Sequence, residues 1–281
     1  MPLIPTAHIL RSAEDGGFAA GSFNVILLEH AQAILAGAEQ AKAPVILQIS
    51  ENAVRYQGGL APIAAAVREQ AVRSQAPAAL HLDHATRFDL IREAADCGFA
   101  SVMYDGSTLP WAENVRSTAE VTAWCHERGI LVEAELGEIG GKDGAHTPGV
   151  RTDPAEAAAF VAETGVDALA VAVGSSHAMT VREAALDLPL IAELHAAVPV
   201  PLVLHGSSGV PDGTLAAAVA AGMRKVNIAT HLNRLFTDAV RASLAADPAL
   251  VDPRRWLAPA RDAVAAEVAR LLAVLGAEGR Q

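Results

Sequence analysis

Cysteine is nearly missing from this chain: 281 residues carry only Cys97 and Cys125. Both fall in helix-like segments, so no disulfide framework is expected, and a reducing cytoplasmic compartment follows. Aromatic residues make up 4%, which leaves Ala, Val, Leu and Ile to build the core. Lysine occurs only as Lys42, Lys142 and Lys225. None of the three ends a strand-like run, where a Schiff-base lysine of a barrel is expected. Basic residues are outnumbered 21 to 32, giving a net charge of −11, which argues against a nucleic-acid surface. An anionic small molecule survives that objection, because helix N-termini and a few local cations bind phosphate on acidic proteins. No apolar run approaches the roughly 18 residues of a membrane helix. The opening MPLIPTAHILRSAEDGG lacks the basic end and long apolar stretch of a signal peptide.

What is present is a repeated pattern. Eight short apolar runs each stop at a polar residue: GSFN at Asn24, PVILQIS at Ser50, ALHLDH at His84, SVMYD at Asp105, LVEAE at Glu135, ALAVAVGSSH at His177, PLVLH at His205 and KVN at Asn227. Their length and β-branched content suit buried parallel strands. Helical segments separate them, over residues 30–42, 59–74, 87–96, 111–128, 153–164, 189–197, 211–221 and 231–245, and a first helix at 7–14 is placed to cover the closed end. Gly98, Gly129, Gly165 and Gly222 each close a helix just before the next strand. Asp153-Pro154 reads as an N-cap followed by proline at the first helical position. The pattern predicts one α/β domain over residues 1–281, a (β/α)8 TIM barrel, whose chemistry belongs at the carboxyl ends of the strands. The glycine-rich stretch 137–152 after the fifth strand has the length of a lid. The tail after the eighth helix is longer than the barrel needs and is expected to pack on the barrel or on a second subunit.

The polar stops would ring one mouth of such a barrel. His84, His177 and His205, far apart in sequence, occupy equivalent stops, and three neutral imidazoles with an open position make a catalytic divalent-metal site, most often Zn²⁺. The plain alternative for each is a polar strand terminus touching water. Asp83, one residue before His84, is either a proton-transfer group beside the cation or an acid that orients an imidazole. Asp105 and Glu135 are either further ligands or hydrogen-bonding supports, and Glu133 shares the face of Glu135. His81 has the opposite strand parity to His84, which points it to packing. Near the seventh and eighth strand ends, HGSSG and KVNIAT supply Ser208, Asn227 and Thr230 where barrels commonly bind phosphate.

With FNV, ALHLDH, VMYDGS, VEAELGEIGG, DALAVAVGSSH, VPLVLHGSSGVP, KVNIAT and DPRRW in order, the chain resembles the class II, metal-dependent ketose-bisphosphate aldolases over nearly its full length. The resemblance implies that His84, His177 and His205 hold a catalytic Zn²⁺, that Asp83 exchanges a proton with the substrate C4 oxygen, and that Asp105 and Glu135 are auxiliary ligands or a second site. It makes Asn24, Ser50, Gly206, Ser208, Asn227 and Thr230 substrate-binding residues, and Arg254 of DPRRW the arginine that reaches a neighbouring subunit's second phosphate. A homodimer or homotetramer, and a monovalent cation (Na⁺ or K⁺) near the phosphate, are implied as well. The activity so implied is reversible aldol cleavage of a ketose 1,6-bisphosphate, fructose 1,6-bisphosphate first, with tagatose 1,6-bisphosphate or another ketose as alternatives. A metal-dependent hydrolase is a poorer fit, since its first strand usually carries His-x-His. A non-catalytic metal-binding barrel is the remaining rival. Three positions depart from the family pattern. Asp143, following Gly140-Gly141-Lys142, stands where the family places the glutamate that works on the ketone half, with Glu138 as the competing base. Ala178 replaces a glycine, and Ala229 stands where some longer relatives carry aspartate.

Overall fold

The computed structural model describes residues 3–136, 150–177 and 179–280. Each of the eight apolar runs forms a strand: β1 (Ala20–Asn24), β2 (Val45–Ser50), β3 (Ala78–Ala85), β4 (Ser101–Tyr104), β5 (Leu131–Leu136), β6 (Ala168–Val171), β7 (Leu202–Leu204) and β8 (Met223–Ile228). They pair in parallel in chain order, and β8 returns to β1, so the sheet closes into a barrel. Around it lie α1 (Thr6–Gly16), α2 (Leu28–Ala41), α3 (Glu51–Gln57), α4 (Leu60–Arg73), α5 (Phe88–Asp96), α6 (Trp111–His126), α7 (Pro154–Thr164), α8 (Leu188–Ala197), α9 (Asp212–Ala221), α10 (Thr230–Ala246) and α11 (Pro253–Val274). The expected helix ends hold. Asp153 accepts from the backbone N–H groups of Ala155 and Glu156 at 2.8 and 3.0 Å, and Gly98, Gly129, Gly165 and Gly222 all have positive φ. The short α3 has no counterpart in the sequence reading, because seven residues carry too little periodicity to register.

Strand side chains alternate between the helical layer and the lumen, and the lumen is itself layered. At the amino-terminal end, Ala20, Ile46, Ala79 and Ala168 pack with Ile9 and Leu10 of α1, which stops that end of the barrel. Alanine suits this position because a helix has to come close. One step up the strands the lumen turns polar, with Ser22, Gln48, His81, Ser101, Glu133 and Lys225 all 0–1% exposed. A further step reaches Asn24, Ser50, Asp83, Glu135, His205 and Asn227, at the carboxyl-terminal mouth. A polar interior above an apolar plug is therefore written into alternate residues of the same strands.

The tail beyond α10 is resolved in favour of the barrel: α11 lies against α2 and α10. Gly37 of α2 permits the approach, since a Cβ there would stand 2.5 Å from the carbonyl oxygen of Ala265. Beyond α11, Leu275 and Gly279 tie the tail to Ala19 and Ala41 through backbone bonds of 3.0 and 2.9 Å. Among the described residues, no helix is long and apolar enough to cross a membrane.

Candidate active site

The mouth of the barrel holds a cavity of about 360 Å³. Eleven of the residues singled out in the sequence line it: Asn24, Ser50, Asp83, His84, Asp105, His177, Gly206, Ser208, Asn227, Ala229 and Thr230. His205 and Glu135, 0% and 1% exposed, lie beneath its floor. Arg254 does not line it; its side chain is 89% exposed at the start of α11 and is held by Asp252 at 2.7 Å. Asp143, Glu138, Lys142 and Ala178 lie outside the described residues.

A backbone irregularity brings Asp83 and His84 to the same side. Between Leu82 and Ala85 strand β3 takes three steps while β4 takes two, from Val102 to Tyr104. The extra residue is absorbed at His84, whose φ is +50°, a left-handed conformation that costs a side chain about 1–2 kcal/mol. Asp83 keeps the lumen parity of His81, and the bulge swings His84 round beside it. His177 arrives differently. It stands six residues past the end of β6, on a loop that turns at Gly174, φ +115°, and not at a strand terminus as the sequence reading had it.

The three imidazoles face one another edge to face, with ring centroids 4.7–5.7 Å apart and interplanar angles of 73–82°. One ligand atom from each, with one from Glu135, falls within 4.8 Å of all the others. Two hydrogen bonds single out the nitrogens that His84 and His205 present. Asp105 takes Nδ1 of His84 at 2.9 Å, which leaves Nε2 as the atom that ring could offer a metal. Glu133 takes Nε2 of His205 at 2.9 Å. The buried Nδ1 of His205 has no hydrogen-bond partner among the described residues and lies 3.5 Å from Glu135 Oε2. Burial, with the nearby His84, holds His205 well below the ordinary histidine range, so at neutral pH it presents a lone pair. A buried lone pair without a proton to accept, aimed at a carboxylate and two more imidazoles, fits a divalent cation of the zinc type. Asp105 pairs with His84 and lies outside the four-residue group that could hold a metal.

Asp83 is braced from the opposite side. Asn24 donates to its Oδ2 at 3.2 Å, Gln48 donates to Asn24 at 2.6 Å, and Ser22 donates to Gln48. Its buried Oδ1 has no hydrogen-bond partner among the described residues and lies 3.9 Å from His84 Nε2. Burial alone would raise this carboxyl, but the neighbouring His84 and, beneath it, Lys225 hold it below the usual carboxylate range. It is an ionised acceptor with one oxygen fixed and one available. Across the mouth, Gly206 has φ +63°, and a Cβ there would meet the Ser176 backbone at 2.6 Å. The Gly206–Ser208 turn and the first turn of α10 at Thr230 lie together in the cavity wall, where barrels commonly bind phosphate.

Below this layer runs a network that strand parity should have exposed. Lys225 donates to Glu133 Oε2 at 2.6 Å and lies 3.5 Å from His81 Nε2. His81 Nδ1 pairs with Ser101 at 2.8 Å, and Ser101 with Thr6 of α1 at 2.7 Å. His81 is indeed a packing residue, but of the lumen, sharing its parity with Asp83. The reading also missed Gln48, Glu51, Asn52, Arg55 and Thr86 in the cavity wall. Gln48, two residues before Ser50 in an otherwise apolar run, was the one with a visible signal.

A model of the family described as fructose-bisphosphate aldolase class-II matches residues 4–280. The chain is 41% identical to the fructose-bisphosphate aldolase of Geobacillus stearothermophilus over 284 aligned residues, covering 100% of this chain and 99% of that one. Identity to the fructose-bisphosphate aldolase of Staphylococcus aureus strain Mu50 is 39%, with the same coverage. Among solved structures, the YdjI aldolase of Escherichia coli K12 superposes with a TM-score of 0.86 at 30% identity, covering 99% of each chain.

The buried network predicts two outcomes. Lys225→Met leaves Glu133 charged and uncompensated, and should cost about 3–5 kcal/mol in urea unfolding; combining it with Glu133→Gln should recover part of that loss, whereas simply additive losses would mean the two do not act as a pair. Acid should also weaken the metal-free protein, because burial holds His30, His81 and His205 below the ordinary histidine range. The unfolded chain takes up protons there at about pH 6.5 while the fold does not, so stability falls as pH drops, by up to about 1.4 kcal/mol per unit for each ring. Urea midpoints at about pH 7.5 and 5.5 measure this, and an unchanged midpoint would count against neutral buried rings.

Proposed function

This chain belongs to the class II fructose-bisphosphate aldolase family, and from that premise we propose that it cleaves a ketose 1,6-bisphosphate, fructose 1,6-bisphosphate first, to dihydroxyacetone phosphate and glyceraldehyde 3-phosphate. The observation that carries the reading is the convergence of His84, Glu135, His177 and His205 on one point with the braced Asp83 beside it. The family is metal-dependent, and we assign zinc, with His84, His177 and His205 as the ligands of the working site and Glu135 as the auxiliary carboxylate. When bound, the ion supplies Lewis-acid polarisation of the ketose C2 carbonyl.

The residues divide the remaining work. Gly206, Ser208, Asn227 and Thr230 bind the phosphate on C1, and Asn24 and Ser50 orient the sugar hydroxyls. Asp83 takes the proton of the C4 hydroxyl as the C3–C4 bond breaks and the C4 oxygen becomes the aldehyde carbonyl. The electron pair stays on the ketone half, which takes a proton at C3 from Asp143 on the glycine-flanked segment. In synthesis the same transfers run backwards. The chain acts as one catalytic domain over residues 1–281, in the cytoplasm, as a homodimer or homotetramer. An exposed Arg254 that serves no group of its own cavity is in keeping with a role across a subunit boundary. A monovalent cation, Na⁺ or K⁺, beside the C1 phosphate completes the set on the strength of the family resemblance.

Replacing His84, His177 or His205 by Ala should abolish cleavage of fructose 1,6-bisphosphate and bring bound zinc close to zero. Asp83→Ala should keep its zinc while turnover falls about 10²–10⁴-fold; zinc analysis beside a coupled assay for dihydroxyacetone phosphate separates these roles. Full zinc and turnover in any two histidine variants would move the site elsewhere. For Asp143, exchange of solvent deuterium into dihydroxyacetone phosphate isolates the ketone half-reaction. Asp143→Ala should nearly stop that exchange, and wild-type exchange in Asp143→Ala with an inactive Glu138→Ala would transfer the role to Glu138.

A further inference from the structure

Among the described residues lining the cavity there is one cation, Arg55, and the bond-breaking step makes no use of it. Arg55 stands on α3, the short helix that leaves β2 directly after Ser50. Its side chain is 65% exposed and makes its hydrogen bond to Glu51 Oε1 at 3.1 Å. Glu51 is in turn fixed, only 5% exposed, with Oε2 accepting from the backbone N–H and the hydroxyl of Thr86 at 2.8 and 3.0 Å. A buried carboxylate anchored to the strand β3 exit thus holds a guanidinium over the lip of the mouth. One carboxylate occupies only part of the donor fork of an arginine, and the rest suits a second anion.

Register gives the direction from which that anion comes. Ser50 pairs with Asp83 across β2 and β3, while the Gly206–Ser208 turn after β7 lies three strands away round the ring. On the proposed reading, on which this inference rests, the C1 phosphate sits at that turn and the C4 hydroxyl at Asp83. Carbons beyond C4 then lead past Ser50 toward α3. We infer that Arg55 is a specificity-determining residue that binds an anionic group at the far end of the ketose, and so selects ketose 1,6-bisphosphates over ketose 1-phosphates. Within one subunit it is the residue placed to do so, because Arg254 is committed to Asp252 away from the cavity. Asn52, one turn before Arg55 and also in the wall, adds an uncharged donor to the same lip.

The test is the ratio of kcat/KM for fructose 1,6-bisphosphate to that for fructose 1-phosphate, in wild type, Arg55→Gln and Arg55→Lys, at low and raised ionic strength. Arg55→Gln should lower the ratio about 10- to 100-fold, the worth of a hydrogen bond to a charged group, chiefly through KM for the bisphosphate. Arg55→Lys should restore part of it. Added salt should erode the ratio more steeply in wild type than in Arg55→Gln, since an exposed charge pair is screened. Equal losses on both substrates would show that Arg55 merely holds Glu51 and Thr86, and would overturn the inference. A wild-type enzyme that prefers the 1-phosphate would overturn it while leaving the aldolase reading intact. A wild type that cleaves neither sugar would overturn the substrate reading and this inference with it.

Discussion

The carboxylate of Glu133, shared between Lys225 and His205 in the buried centre of the barrel, governs much of what lies above it. Its Oε1 takes the Nε2 side of His205 and its Oε2 takes the ammonium of Lys225. The first bond settles which imidazole nitrogen is left to face Glu135 and the other histidines. The second makes an ionised carboxylate tolerable at a buried position. Buried ion pairs rarely add much stability over an apolar filling, so the better account of this one is orientation: a ring that turned over would offer the wrong atom. The same pair reaches down through His81 and Ser101 to Thr6, linking the plug helix to the layer of converging histidines.

Much of this was legible from residue order. Strands of a parallel barrel are buried on both faces and announce themselves as apolar runs, and the glycines that close helices mark where four of those runs begin. The ends of those runs gave the cavity wall, because the carboxyl ends of the strands converge whatever their sequence separation. What escaped was local. A one-residue bulge at His84 inverts the parity argument, so His81 looked out of step when it was the residue in step. His177 belongs to a loop whose turn at Gly174 no periodicity reveals. The seven residues of α3 were too few to show, and with them went Glu51, Asn52 and Arg55.

Scarcity of aromatic residues shaped the interior as well. With Ala20, Ala79 and Ala168 at the amino-terminal end of the lumen, there is room for Ile9 and Leu10 of α1 to enter from below, and larger side chains would exclude them. The polar layer above is then sealed from that end, so the ionised groups at the mouth communicate with solvent through one opening. Low dielectric beneath and water above give Asp83 its character, a carboxylate deep enough to be held rigidly and electropositive enough in its surroundings to stay charged.

The closure of the barrel has a consequence for biosynthesis. β1 owes one of its two neighbours to β8, and α2 receives α11 at the groove opened by Gly37. Both partners lie some 200 residues further along the chain, so a nascent polypeptide must expose an unpaired strand edge and an apolar helix groove until its last fifth has been made. At ribosomal rates of about 5–20 residues per second, that interval is roughly 10–40 s. During it, the amino-terminal strands are open to the wrong partner on a neighbouring nascent chain, which makes the order of synthesis as much a part of this barrel's assembly as its packing.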